Sequence, residues 1–445
     1  MKLPIVLCLL IGTSAFAQDH FSGITTSRRG GLLNASTNPA ELANLKTKYE
    51  VGVFSLSFNL SNNRLGFNDL VSGDDLEKKL FEGNKDVDLR FDGEVYGPAF
   101  AMKIDKWAFS FNTKAYGKVN FTDVDPTIGD AVTNGALSSI FGASTIQSDK
   151  NQRANGTTWG EVAFGVARNV YETDEHKFSV GVTLKLLFPG SYANLGLDRF
   201  SGTITNNLGN VNMTDASARM NISYSGDLAD DFTDFGNYTS SLFGKLNGFA
   251  TDLGINYQWK DENDGYKINA GAAVRNIGSM TFKSDNNSNS NYELNIPAGQ
   301  QLNLNQFESV SSFKEIEEIL LTSGYLTATS NSSDFKVKLP TVFSAYADVK
   351  IIPDFYVTVF GQQKLNKDDK DDQVTAQNVL SVTPRYSTQS FEVFAPLASN
   401  EISGFTSGLG VRVGGFFIGS SSVVTALIND GEQADFYLGF RFGLQ

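Results

Sequence analysis

His20 and His176 are the only histidines of the chain, and Cys8 is its only cysteine. General-base, thiol and zinc chemistry therefore have few places to reside. No Ser, His and carboxylate fall into an order that suggests a nucleophile and its base. The chain has no Gly-x-Ser-x-Gly elbow, no glycine loop shaped for phosphate and no Cys/His ligand spacing. The expectation is no catalytic residue, no metal and no cofactor, and hence no enzyme. Carboxylates are plentiful, but they gather in runs such as Asp368-Asp369-Lys370-Asp371-Asp372 and Asp261-Glu262-Asn263-Asp264, which read as solvated loops. A net charge of −13 argues against a nucleic-acid partner.

Chemistry this sparse directs attention to the elements that carry it. In residues 434–445, Phe436, Leu438, Phe440 and Phe442 alternate with Asp435, Gly439, Arg441 and Gly443. A period of two, with bulky apolar groups opposite glycine and charge, marks a strand between two different media. The pattern recurs near 49–60, 94–104, 107–121, 157–171, 177–188, 249–260, 266–277, 337–351, 354–365, 374–386, 389–398, 405–413 and 415–421, making fourteen strands. Past the first seventeen residues no apolar run reaches the roughly 18 residues of a membrane helix. Instead, 42 glycines and 35 phenylalanines suit a wall with an aromatic face toward lipid and a small or polar face toward a lumen.

Short connections at 105–106, 172–176, 261–265, 353–354, 387–388 and 414–415 alternate with longer ones, as they do when turns lie on one side of a membrane and loops on the other. The prediction is an all-β fold: a 14-stranded antiparallel transmembrane β-barrel over 49–445, closed by the last strand against the first, with short helices in the extracellular loops. Trp107, Tyr171, Trp259, Tyr356, Tyr386 and Phe416 lie near the short turns and read as an aromatic girdle at the headgroup level.

Residues 1–17 read as a signal peptide: Lys2, the apolar Leu3–Ile11 stretch, and Ala15-Phe16-Ala17 with cleavage after Ala17. A cysteine-free mature chain fits a bacterial outer membrane better than a eukaryotic secretory route. Several Asn-x-Ser/Thr triplets, at Asn34, Asn120, Asn155 and Asn221, read as turn chemistry.

Residues 18–48 do not alternate and form the third unit, a plug or hatch. Pro39 fixes φ and disfavours helix at Asn38, so Asn38-Pro39 favours a turn. Arg28 and Arg29 suit luminal carboxylates such as Glu161 and Asp252. The Asn38-Pro39-Ala40-Glu41-Leu42 step just ahead of the first strand, together with the strand count, resembles the FadL-type family of outer-membrane transporters for hydrophobic compounds. That family includes the PorV-like barrels of envelope secretion systems. The resemblance implies that Asn38, Pro39 and Ala40 sit in a hatch within the lumen.

The leading expectation is therefore a plugged channel for small hydrophobic molecules. Pro98, which cannot donate a ladder bond, marks a lateral opening in the second strand. Ser312-Phe313-Lys314-Glu315 opens a capped helix whose Phe313, Ile316, Ile319 and Leu320 offer a loop surface for a ligand or an envelope protein partner. The alternative is a non-transporting accessory barrel of a secretion or surface-assembly machine. Outer-membrane lipid is the expected partner in either case.

Overall fold

The period-two segments pair edge to edge until the last one meets the first. In the computed structural model, which describes residues 20–133, 141–231, 242–261, 265–283 and 286–444, fourteen strands form the wall. They are β1 Tyr49–Asn62, β2 Val87–Ile104, β3 Trp107–Val124, β4 Asn151–Glu172, β5 His176–Asn207, β6 Gly248–Asp261 and β7 Gly265–Phe282. β8 follows as Phe335–Lys338 with Val342–Ile352, then β9 Phe355–Lys364, β10 Val379–Ser387 and β11 as Phe391–Phe394 with Leu397–Asn400. β12 is Gly404–Ser407 with Leu409–Val413, β13 Phe416–Ser420 and β14 Gln433–Leu444. Pro340 and Pro396 sit in two of the interruptions, where a missing N–H breaks the ladder. β14 pairs antiparallel with β1, Leu438 opposite Leu56, and closes the barrel.

The outer face explains the alternation. Phe54, Phe100, Phe111, Phe164, Leu184, Leu253, Phe343 and Phe440 are all exposed, one strand after another. An apolar surface that extensive belongs in lipid, not in water. The closing strand follows its prediction: Phe436, Phe440 and Phe442 face out, and Arg441 turns inward to Glu50 at 2.7 Å. Trp107, Tyr171, Trp259, Tyr386 and Phe416 are exposed beside the short turns, but Tyr356 is buried and points into the lumen, so it leaves the girdle. Among the described residues no helix is long and apolar enough to cross a membrane.

Several strands outrun their sequence pattern because they rise above the bilayer, where no lipid face enforces alternation. β5 continues to Asn207, and Asn210–Ser225 returns beside it. Phe141–Gln147, Ser288–Asn303 and Leu326–Ser332 extend this into an outer sheet. The connection after β3 opens with a short helix, Pro126–Thr133, and residues 134–140 lie outside the described set. So do residues 1–17, where a signal peptide is expected, and residues 262–264 of the second acidic run. Asn120, Asn155 and Asn221 are strand residues, not turn residues. The Asn120 amide donates to Asn155 at 2.9 Å, and Asn194 donates to Asn221 at 2.8 Å.

Candidate functional site

The segment ahead of β1 fills the lumen, and its turn is held from every side. Asn38 caps the short helix Pro39–Asn44: its Oδ1 accepts from the Ala40 N–H at 3.0 Å, while its Nδ2 donates to the Ile255 carbonyl of β6 at 2.8 Å. Pro39 occupies the first helical position, where its lost N–H costs nothing. Glu41 is buried and accepts from Asn256 at 3.0 Å, Asn269 at 2.8 Å, and the Tyr346 hydroxyl. The wall comes close because it is glycine there. A Cβ at Gly181 would overlap the Pro39–Ala40 peptide, and one at Gly254 would overlap the Asn38 amide. Gly181 and Gly254 face each other across β5 and β6.

A second set of contacts holds the start of this segment. Arg385 is fully buried, lying 3.3 Å from Asp348 and 3.3 Å from Glu392, and donates to the Gly23 carbonyl at 2.7 Å. The Tyr437 hydroxyl donates to the Ser22 carbonyl at 2.6 Å, and Phe21 packs among Phe394, Phe417 and Tyr437. Arg275 donates to the Ser36 carbonyl at 3.0 Å, and Glu50 accepts from the Leu32 N–H at 2.7 Å.

The expected pairing of Arg28 and Arg29 with Glu161 and Asp252 does not form. Lys185 takes both carboxylates, at 3.8 and 2.8 Å, from its own luminal position. Arg28 instead donates to the Tyr356 hydroxyl and stacks over that ring at 5.3 Å. Arg29 lines the same lower cleft, beside Arg412 and Arg441.

The hydrogen-bond ladder is interrupted at Pro98. β1 and β2 pair at Gly52 with Ala99 and again at Ser55 with Tyr96, keeping their register but leaving Val53-Phe54 and Gly97-Pro98 without ladder partners between them. On the other flank, Gly97-Pro98 bulges opposite Thr113, whose hydroxyl donates to the Pro98 carbonyl at 3.0 Å. Behind this break lies a cavity of about 40 Å³, lined by Leu32, Leu33 and Ala35 of the hatch, Phe54 and Ala99 of the wall, and Lys114, Lys185 and Arg441 at its polar end.

Next to it is a polar chamber of about 80 Å³. There His20 lies 3.1 Å from Asp92 and 3.6 Å from Glu94, and Lys118 pairs with Asp92. Burial opposes a charge on His20, yet Glu94 and Asp92 outweigh it and push its pKa up to about 9. The roof is the 365–378 connection. Its acidic run is solvated only in part: Asp369 and Lys370 are exposed, but Asn151 donates to Asp371 at 3.3 Å, Asn289 donates to Asp372 at 3.0 Å, and Arg90 donates to Thr375 at 2.7 Å.

Residues 39–421 match the model of a family described as a family of unknown function, DUF5723. The chain belongs to the DUF5723 family. No curated protein matches the sequence. Among solved structures, a TodX ΔS2S3 mutant monoaromatic hydrocarbon channel is similar at 8% identity, over 97% of this chain and 95% of that one, with a TM-score of 0.46. The Pseudomonas putida toluene transporter TodX is similar at 8% identity over 94% and 95%, with a TM-score of 0.33. A Pseudomonas aeruginosa FadL homologue is similar at 7% identity over 97% and 100%, with a TM-score of 0.27. Identities this low speak to fold alone, and the fold of this DUF5723 chain, a closed fourteen-strand β-barrel, rests on its own ladder.

The DUF5723 barrel does not present the expected loop surface. Ser312 caps the helix Phe313–Thr322 by accepting from the Glu315 N–H at 3.1 Å, as predicted. Phe313 and Leu320, with Ile316 beside them, are spent on the core between that helix and the outer sheet, and Ile319 is half-buried. The stripe had a partner within the chain, which local periodicity cannot show. Sequence reasoning also missed Glu41, Arg385, Glu392 and the His20 cluster. The signal that finds them is a charged residue at an inward position of a lipid-facing strand, as in Asp92 and Glu94 or Arg385.

Proposed function

We propose that the barrel passes a small hydrophobic molecule from the outer face to a lateral exit at Gly97-Pro98, with residues 20–48 acting as a hatch. The observation that carries this reading is the double break in the ladder at Pro98, backed by a cavity with apolar hatch side chains at the wall and charge deeper in. Ligand pockets of drug-sized molecules run to roughly 300–1,000 Å³, so a cavity of about 40 Å³ requires the hatch to shift before anything passes. The hydrocarbon channels among the similar structures suggest monoaromatic hydrocarbons as first probes. Export would involve cleavage after Ala17.

The test uses outer-membrane vesicles, whose lipopolysaccharide leaflet slows unaided passage, and labelled toluene and octanoate. Restoring a backbone donor with P98A is expected to lower flux severalfold without lowering thermal stability. Unchanged flux in P98A would remove the lateral exit.

A second reading, the accessory barrel, is favoured by one observation: the lumen is bonded shut, with Arg385, Asp348 and Glu392 holding the hatch below and the 365–378 connection folded in above. Envelope proteins co-purifying with a barrel that shows no flux would favour it.

A further inference from the structure

His20 lies on the hatch, while Asp92 and Glu94 are two residues apart on β2, which places both carboxylates on the luminal face. We propose that His20 Nε2, Asp92 Oδ1 and Glu94 Oε1 form a divalent transition-metal site, zinc-like in its ligand chemistry, that fastens the hatch to the wall.

The spacing carries the argument. The three ligating atoms all lie within 4.8 Å of one another. Nε2 is 3.1 Å from the Asp92 oxygen and 3.6 Å from the Glu94 oxygen. Ligands about 2.1 Å from a tetrahedral ion stand about 3.4 Å apart, a value that falls between those two distances. The surroundings are also those of a held ligand set. Ser57 Oγ sits 2.8 Å from His20 Nδ1, fixing the ring with its other nitrogen toward the carboxylates. Lys118 engages Asp92 Oδ2, leaving Oδ1 turned to the imidazole.

All three residues line the chamber of about 80 Å³, which leaves room for water in the remaining coordination position. One imidazole with two carboxylates suits a first-row ion better than calcium or magnesium, which favour oxygen throughout. The chamber also carries Arg90, Lys114, Lys118, Lys185 and Arg275, so the ligand geometry, not the net local charge, carries the assignment. The site stands whether or not the barrel transports anything.

The test uses full-length barrel without a histidine tag, stripped with chelator and titrated separately with Zn²⁺ and Co²⁺. One ion per barrel is expected, with enhanced visible absorption for Co²⁺ and a raised unfolding temperature for both. H20Q and E94Q lower affinity at least tenfold, and S57A lowers it roughly tenfold. Absence of saturable binding overturns the proposal. Equal affinity in H20Q also overturns it, by assigning the ion to acidic groups elsewhere. If H20Q fails to fold, native mass spectrometry of the wild type and E94Q decides: an added zinc lost in E94Q supports the site, and none on either protein overturns it.

Discussion

At the scale of single residues, the hatch depends on one buried cation and two missing side chains. Arg385 balances Asp348 and Glu392, and all three side chains are fully buried. Removing one partner of such a network costs about 3–5 kcal/mol, because the charges left behind stay buried. R385M is therefore expected to lower unfolding free energy in urea by that amount and to expose residues 20–48 to protease; wild-type resistance in both assays would contradict the assignment. At Gly181 there is no flexible side chain to yield, only the Pro39–Ala40 backbone. G181V should cost about 1–3 kcal/mol by overpacking and displace the hatch turn, seen as new protease cleavage ahead of β1. The same substitution at Gly117, where no atom lies within 4 Å, would produce no such cleavage.

At the scale of elements, the membrane-spanning strands were legible because lipid and lumen impose opposite chemistries on alternate residues. Phe436 and Arg441 could be assigned to their faces from that fact alone. Legibility fails where one of the two media is missing. The rising parts of β2, β4 and β5 meet no lipid, and the 374–378 stretch, expected to open β10, folds inward to cover the chamber, with Val374 and Thr375 buried. The helix Phe313–Thr322 failed differently: its stripe was read correctly but its partner was not, since only the fold brings Ser288–Asn303 and Asn210–Ser225 to it. F313A should cost about 3–5 kcal/mol locally, speeding hydrogen exchange in those two outer strands while β1 and β14 keep their protection. Unchanged exchange would restore Phe313 to the role of a free docking surface.

At the scale of the whole molecule, the barrel is a closed wall around a polar interior, with an interrupted ladder at Gly97-Pro98 and apolar side chains of the segment ahead of β1 behind it. The Asn38-Pro39-Ala40 turn was legible because proline chemistry is local. Its seat was not, because Gly181, Gly254, Asn256 and Tyr346, on the three strands β5, β6 and β8, come together only when the sheet is assembled. Hatch movement is the central claim, and a reversible lock tests it directly. Leu32 of the hatch and Ala99 of β2 pack in one cluster, and the chain offers no cysteine beyond Cys8 to compete. In L32C/A99C, flux of labelled toluene into outer-membrane vesicles should fall to the barrel-free level when oxidised and recover on reduction. Equal flux in the oxidised and reduced states, with the crosslink verified, would contradict a hatch that must move.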